Sequence, residues 1–312
     1  MDNLNIPITQ PIGIYFTFIK SNNTKLVKTY KSDGSKIAGA NLTSGQYWLW
    51  NVNSLTSLDL FFQGMTQYDT ITLGVTEELG GAVVTNQVLD KCGYKPPTIS
   101  RSSRFIFYLN DVYNFIDCEY SLYLFDIDYD SDDPDSFQVN THQEARNFLV
   151  SIDSNFEKVE MLVRNSSSSN IKNIETGEYR NSSRSFHIYI IVAHATKENV
   201  GNFTNYLKRR CWEIGYAYAK KNGTGIVESY IFDFKVTSSE RPVFENKPDT
   251  EHPFSYEYTP SSIFSGGVLN LDAFEQEDES IYKQYFQTQK QKLIEQNTSY
   301  KKVSNKALKS SS

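Results

Sequence analysis

The sequence predicts an α+β protein with mixed or antiparallel sheets flanked by helices. Three observations lead there. Strand-length apolar runs recur, among them Gly13–Ile19, Leu122–Asp128, Ser185–Val192 and Ser229–Val236. Two stretches instead place apolar residues at helical spacing: Ala145, Phe148, Leu149 and Ile152, then Val200, Phe203, Leu207, Cys211, Ile214 and Tyr218. Finally, 39% of the 312 residues are hydrophobic, with 21 Tyr and 20 Phe, enough to bury a core of one large domain or two modest ones.

Taken in order, residues 1–100 read as a strand-rich module. Gly13–Ile19 is a strand, Ser32–Ser35 a turn, Gly45–Trp50 a strand, Ser54–Met65 a short helix and Thr70–Val75 a strand. No chemical motif stands out there, so it reads as scaffold. Thr141-His142-Gln143-Glu144 fits a capping box at the head of the first long helix. Val159–Val163 is a strand that runs into Arg164, Asn165 and four serines, Ser166–Ser169. Such a run is ordinarily a flexible linker, although its N–H and hydroxyl groups can also hold a phosphate. The helix starting near Thr196 is expected to end at Lys220–Gly225, with Lys208, Arg209 and Arg210 on its wet side. Beyond about Pro260 strand character is lost. Phe274–Asn297 is spaced as a helix, and Lys306–Ser312 reads as disordered. This divides the chain into an N-terminal module (1–100), a central core (101–260) and a C-terminal helical tail (261–312).

Composition narrows the function classes. A net charge of -6 argues against a wholly basic nucleic-acid coat but leaves room for a local basic groove. Cys92, Cys118 and Cys211 lack paired spacing, which fits reduced thiols better than disulfides or a zinc cluster, so no zinc is expected. No apolar run is long enough to cross a bilayer, and no secretory leader is read, so a cytoplasmic protein without a membrane partner is expected.

The chemistry lies on three strands. Alternation places Asp126 and Asp128 on one face and Tyr123, Phe125 and Ile127 on the other, with Asp130 and Asp132 close behind. Neighbouring carboxylates need a cation, a shared proton or solvation, and hard divalent ions prefer such oxygens. The plain alternative is an acidic turn after an edge strand. On the second strand Ser185, His187 and Tyr189 share a face, where a lone histidine is more often a packing residue. On the third, Ile231, Asp233 and Lys235 face away from Tyr230, Phe232, Phe234 and Val236.

In this order the motifs resemble those of the archaeo-eukaryotic primase superfamily, the primase-polymerases, in particular the plasmid and phage branch. Phe-Asp-Ile-Asp at 125–128 matches the first motif, Ser185-Phe186-His187 the Ser-x-His second, and Asp233 the third. Arg164–Ser169 is similar to the serine-rich segment before the second motif, and Ser239–Glu245 to the Ser-x-Glu-Arg-x-x-Phe-Glu segment after the third. The likeness covers about residues 100–250. It implies an RRM-like palm and a nucleotidyltransferase that primes and extends strands on single-stranded DNA from nucleoside triphosphates. Asp126, Asp128 and Asp233 would bind two Mg²⁺ or Mn²⁺ ions and carry catalysis. Ser185, His187 and Arg241 would bind nucleotide, with Ser168 and Arg164 as further candidates; the plain reading of Arg241 is a surface ion pair with Glu240 or Glu245. The resemblance further implies a prokaryotic host, plasmid- or phage-associated replication, and room for a separate replicative helicase as partner. A non-catalytic replication-initiation or DNA-binding module with the same fold is the alternative.

Overall fold

The computed structural model describes residues 5–6, 13–37, 42, 44–76, 79–85, 98–101, 107–108, 112–113, 120–129, 133–180, 185–223, 225–237, 241–276 and 278–310. Asp130, Asp132, Arg184, Ser239, Glu240, Cys92 and Cys118 lie outside these residues. The chain is α+β, with mixed sheets and, among the described residues, four α-helices.

The strands and helices that position the site are, in chain order, β1 (Ile14–Ser21), β2 (Ser44–Val52), α1 (Leu55–Gln63), β3 (Asp69–Thr72), β4 (Gly80–Thr85), β5 (Tyr120–Ile127), α2 (His142–Ile152), β6 (Met161–Asn165), β7 (Phe186–Ala193), α3 (Lys197–Ile214), β8 (Ala217–Asn222), β9 (Gly225–Tyr230), β10 (Pro242–Val243), β11 (Ser262–Phe264), β12 (Val268–Asn270) and α4 (Glu279–Ser310). The main sheet runs β12, β7, β5, β1, β2, β4, with β6 also paired to β7 and β3 to β1. Strands from the first hundred residues and from the central core therefore hydrogen-bond in one sheet.

Each helix begins where its sequence can satisfy the free N–H groups of a first turn. Ser54 Oγ accepts the Ser57 N–H at 3.1 Å, and Ser57 Oγ accepts the Ser54 N–H at 3.1 Å, a complete capping box on α1. On α2, Thr141 Oγ1 accepts from Glu144 N, whereas Glu144 reaches back to Asn140 N rather than to the cap itself. Helix α3 ends at Ile214 because Gly215 adopts φ +85°, a left-handed cap. The predicted helix ran on through Tyr218; instead Tyr218 lies in the β8–β9 hairpin. One residue of coincidental spacing carried the helical pattern past its glycine stop.

Both faces of the central strands are covered. Tyr123 and Phe125 pack edge-on or tilted against Phe203 of α3, with centroids 5.0 and 6.4 Å apart. On the other face Phe62 of α1 packs on Tyr189 at 5.1 Å. The sequence pattern assigned helices to one face only; α1 closes the polar one. Strand character also continues past Pro260, since β11 pairs with β6 and β12 with β7. Three-residue strands are too short to show alternation in a sequence.

The turn between β11 and β12 depends on a glycine for space. A Cβ at Gly266 would lie 2.3 Å from the Val159 carbonyl carbon and 2.4 Å from Glu160 N. Neither backbone atom can give way locally, because Gly267 is bonded to the same segment through Lys158 O and Glu160 N. Gly266→Ala is expected to destabilise the protein by about 1–3 kcal/mol, the usual range for overpacking. A denaturant midpoint equal to wild type would contradict this contact.

Candidate active site

Cross-strand register brings three charged residues into one row. Asp126 on β5 lies opposite His187 on β7, and His187 lies opposite Arg164 on β6. All three are largely withdrawn from solvent, with side chains 14%, 7% and 10% exposed. His187 Nε2 stands 3.4 Å from Asp126 Oδ1, and its Nδ1 bonds Glu245 Oε1.

Glu245 is the hub of this row. Its carboxylate also accepts from Tyr189 OH at 2.6 Å and Arg164 Nε at 3.1 Å, with only 1% of its side chain exposed. Arg164 in turn bonds Asp59, which accepts from Gln63 Nε2 at 2.8 Å and Ser261 Oγ at 2.6 Å. Burial alone would keep these groups neutral. Pairing reverses that outcome. Burial opposes the charge on His187, yet the carboxylates of Glu245 and Asp126 outweigh it and raise the pKa to about 10. Burial likewise pushes Glu245 up, but the His187 and Arg164 cations outweigh it and bring it to about 2. His187 is thus an imidazolium at neutral pH, with Nε2–H directed at Asp126.

The remaining acids gather at the end of β5. The strand ends at Ile127, one residue earlier than predicted, so Asp128 lies just beyond it and is exposed. Asp233 does not sit in a regular strand: β9 ends at Tyr230, and a 3-10 turn covers Phe234–Thr237. The expected alternation fails because Ile231 and Phe232 are both buried. Asp233 nevertheless reaches the site, donating its N–H to Asp126 O at 2.9 Å. Ile127 pairs with Phe186 on β7 and also with Phe232. A residue pairs twice only across its two edges, so Asp233 and His187 flank β5 on opposite sides. Arg241 lies 3.5 Å from Asp233 Oδ2, rather than pairing with Glu245. Asp128 and Asp233 border a cleft of about 780 Å³ whose other walls carry Lys208, Lys220, Lys221 and Lys235.

The donor set fits a hard divalent ion by its chemistry. Asp126 Oδ1 is a buried carboxylate oxygen without a hydrogen-bond partner. Burial and the neighbouring Asp128 charge both raise the Asp126 pKa, the signature of crowded negative charge. Asp128 and Asp233 supply further oxygens of the kind Mg²⁺ and Mn²⁺ accept. As the side chains lie, no three acidic, His or Cys groups among the described residues form a ready ligand array.

The chain matches no protein-family model, no curated protein and no solved structure.

The serine run is not a linker. Ser166–Ser169 are all buried, and Ser169 Oγ both donates to Ser185 O at 2.6 Å and accepts from Ser185 N at 2.7 Å. Ser185 is accordingly fixed, one residue ahead of β7, by the turn that carries Ser168. Ser168 Oγ accepts from Lys28 Nζ. Tyr30 lies alongside, its hydroxyl pKa raised by burial despite a hydrogen bond with Ser168. The guanidinium of Arg180 covers the Tyr30 ring at 4.8 Å.

Sequence reasoning missed Glu245 as a buried partner of His187, and it missed Asp59 and Lys28 altogether. Asp59 had a signal: with Leu55, Leu58 and Phe62 it occupies the buried face of α1. Glu245 had a weaker one, following Val243 on a strand that pairs with β3.

Proposed function

We propose that this chain is a DNA primase-polymerase, joining nucleotides on a single-stranded DNA template. One observation carries the reading: Asp126, Asp128 and Asp233, distant along the chain, meet at the end of β5 beside the His187 imidazolium. In this reading the three aspartates hold divalent ions. Such ions, when bound, neutralise charge on the attacking and leaving oxygens of phosphoryl transfer.

The chain's own residues do the positioning. Nε2–H of His187 offers a charge-assisted donor to the incoming triphosphate, and Lys28 adds a cation from the Ser168 turn. Arg241, beside Asp233, is placed to bridge phosphate and acid centre. Ser185 sets the register of His187 through its backbone bonds to the serine turn. Arg164 is bonded on two sides to carboxylates, so it supports Glu245 and, through it, His187. Replication on a plasmid or phage, with a separate helicase, is the setting this activity suits.

The test is strand synthesis with labelled nucleoside triphosphates, single-stranded template and Mn²⁺. Template-dependent products that vanish on chelation are expected. Template binding without any product would instead identify a DNA-binding module.

A further inference from the structure

A reaction that joins two nucleotides needs two anion sites, one on each side of the acids. The row of Asp126, His187 and Arg164 accounts for one. The other edge of β5 opens on the cleft of about 780 Å³ bordered by Asp128 and Asp233. Its walls come from α3, from the β8–β9 hairpin and from the 3-10 turn after Asp233. Setting those two acids aside, the lining carries four lysines, Lys208, Lys220, Lys221 and Lys235, against two carboxylates, Asp133 and Glu228. Lys220 is engaged with Asp133 at 3.2 Å. Lys221 and Lys235 are exposed, at the rim.

A chain of net charge -6 has concentrated cations in a concave surface next to its acid centre. Cations lining a concave wall attract phosphate more strongly than the same charges on open surface, because the cleft focuses their field. The cleft is also on the side of β5 opposite His187, away from the triphosphate donors.

We infer that this lysine-lined cleft binds the phosphates of the nucleotide or strand that supplies the attacking 3′-hydroxyl. The inference rests on the primase-polymerase reading. Two sources share this chemistry: the 5′-triphosphate of an initiating nucleotide and the phosphodiester backbone of a primer. The joining step is balanced in either case. The 3′-oxygen forms a bond to the α-phosphorus of the incoming triphosphate, the bond to the β-bridging oxygen breaks, pyrophosphate leaves, and the hydroxyl proton passes to solvent.

The experiment compares wild type with Lys221→Glu/Lys235→Glu and with Lys221→Arg/Lys235→Arg. Both sites are exposed, and circular dichroism and a melting curve report that the variants fold. One arm measures dinucleotide synthesis from triphosphates alone on template; the other measures extension of an annealed primer. The Glu pair is expected to raise the KM of the 3′-hydroxyl partner about ten-fold or more, with the Arg pair near wild type. A defect confined to the first arm identifies the initiating triphosphate. A defect in both, with a shallower salt dependence by about 0.7 per lost phosphate contact, identifies the strand. An active wild type with a Glu pair unchanged in both arms overturns this inference alone. A wild type inactive in both arms overturns it together with the proposed function.

Discussion

Replacing Asp126 and Asp128 together by Ala is expected to leave a folded protein that no longer makes strands. The loss should reach about 10³-fold or more, equivalent to roughly 4 kcal/mol of transition-state stabilisation. Asp128 is exposed, and Asp126 Oδ1 has no hydrogen-bond donor to lose. Their removal also relieves mutual repulsion. His187 keeps Glu245 as its counter-charge. Little of the fold therefore depends on these two carboxylates, and the melting temperature should stay close to wild type. The decisive measurement is Mn²⁺-dependent incorporation by matched amounts of folded protein. Synthesis that survives the double substitution would show that the acids at the end of β5 are not the reacting centre.

The second large effect is on stability. Glu245→Ala removes the carboxylate shared by His187, Tyr189 and Arg164, all of them buried. Two cations would remain in a low-dielectric interior, the Arg164 charge with Asp59 alone. Breaking a buried pair in this way costs about 3–5 kcal/mol. Against a typical stability of about 5–15 kcal/mol this is a large fraction. Urea denaturation should show the shift, and Glu245→Gln, which keeps the shape and an acceptor, should recover part of it.

The same carboxylate sets an acid limb. Its pKa is lowered from 4.5 to about 2 in the folded chain. Its contribution is therefore fully present above pH 4.5 and is lost as pH falls toward 2. The size is about 3 kcal/mol, from roughly 1.4 kcal/mol per pH unit. Wild type should lose more stability between pH 5 and pH 2.5 than Glu245→Gln does. Parallel curves would mean that the carboxylate is not held ionised.

Much of the site was legible where one strand carries both the packing and the chemistry. Asp126 and His187 declare themselves because each interrupts an apolar run with a polar face, and pairing in the sheet then makes them neighbours. Glu245 and Asp59 were hidden for the opposite reason. Charged residues are almost never buried unless paired, and their partners lie 58 and 105 positions away along the chain. Ser166–Ser169 misled by composition, since low complexity suggests a linker while backbone bonds to Ser185 make it a packed turn. Asp233 was located correctly on the wrong element: its alternation was an accident of an aromatic-rich stretch, and what brings it to Asp126 is one backbone bond.

Asn246 gives the pocket its order of assembly. Its side-chain amide donates to the carbonyls of Leu26, Thr66 and Asp69 at 3.1, 3.2 and 2.7 Å, fastening the residue next to Glu245 onto the beginning of the polypeptide. A nascent chain still short of Pro242 therefore carries the acids and the histidine without the anion that orients them. On the ribosome the protein acquires its charged pocket late, which keeps a half-built nucleotide centre from forming before the sheet beneath it is complete.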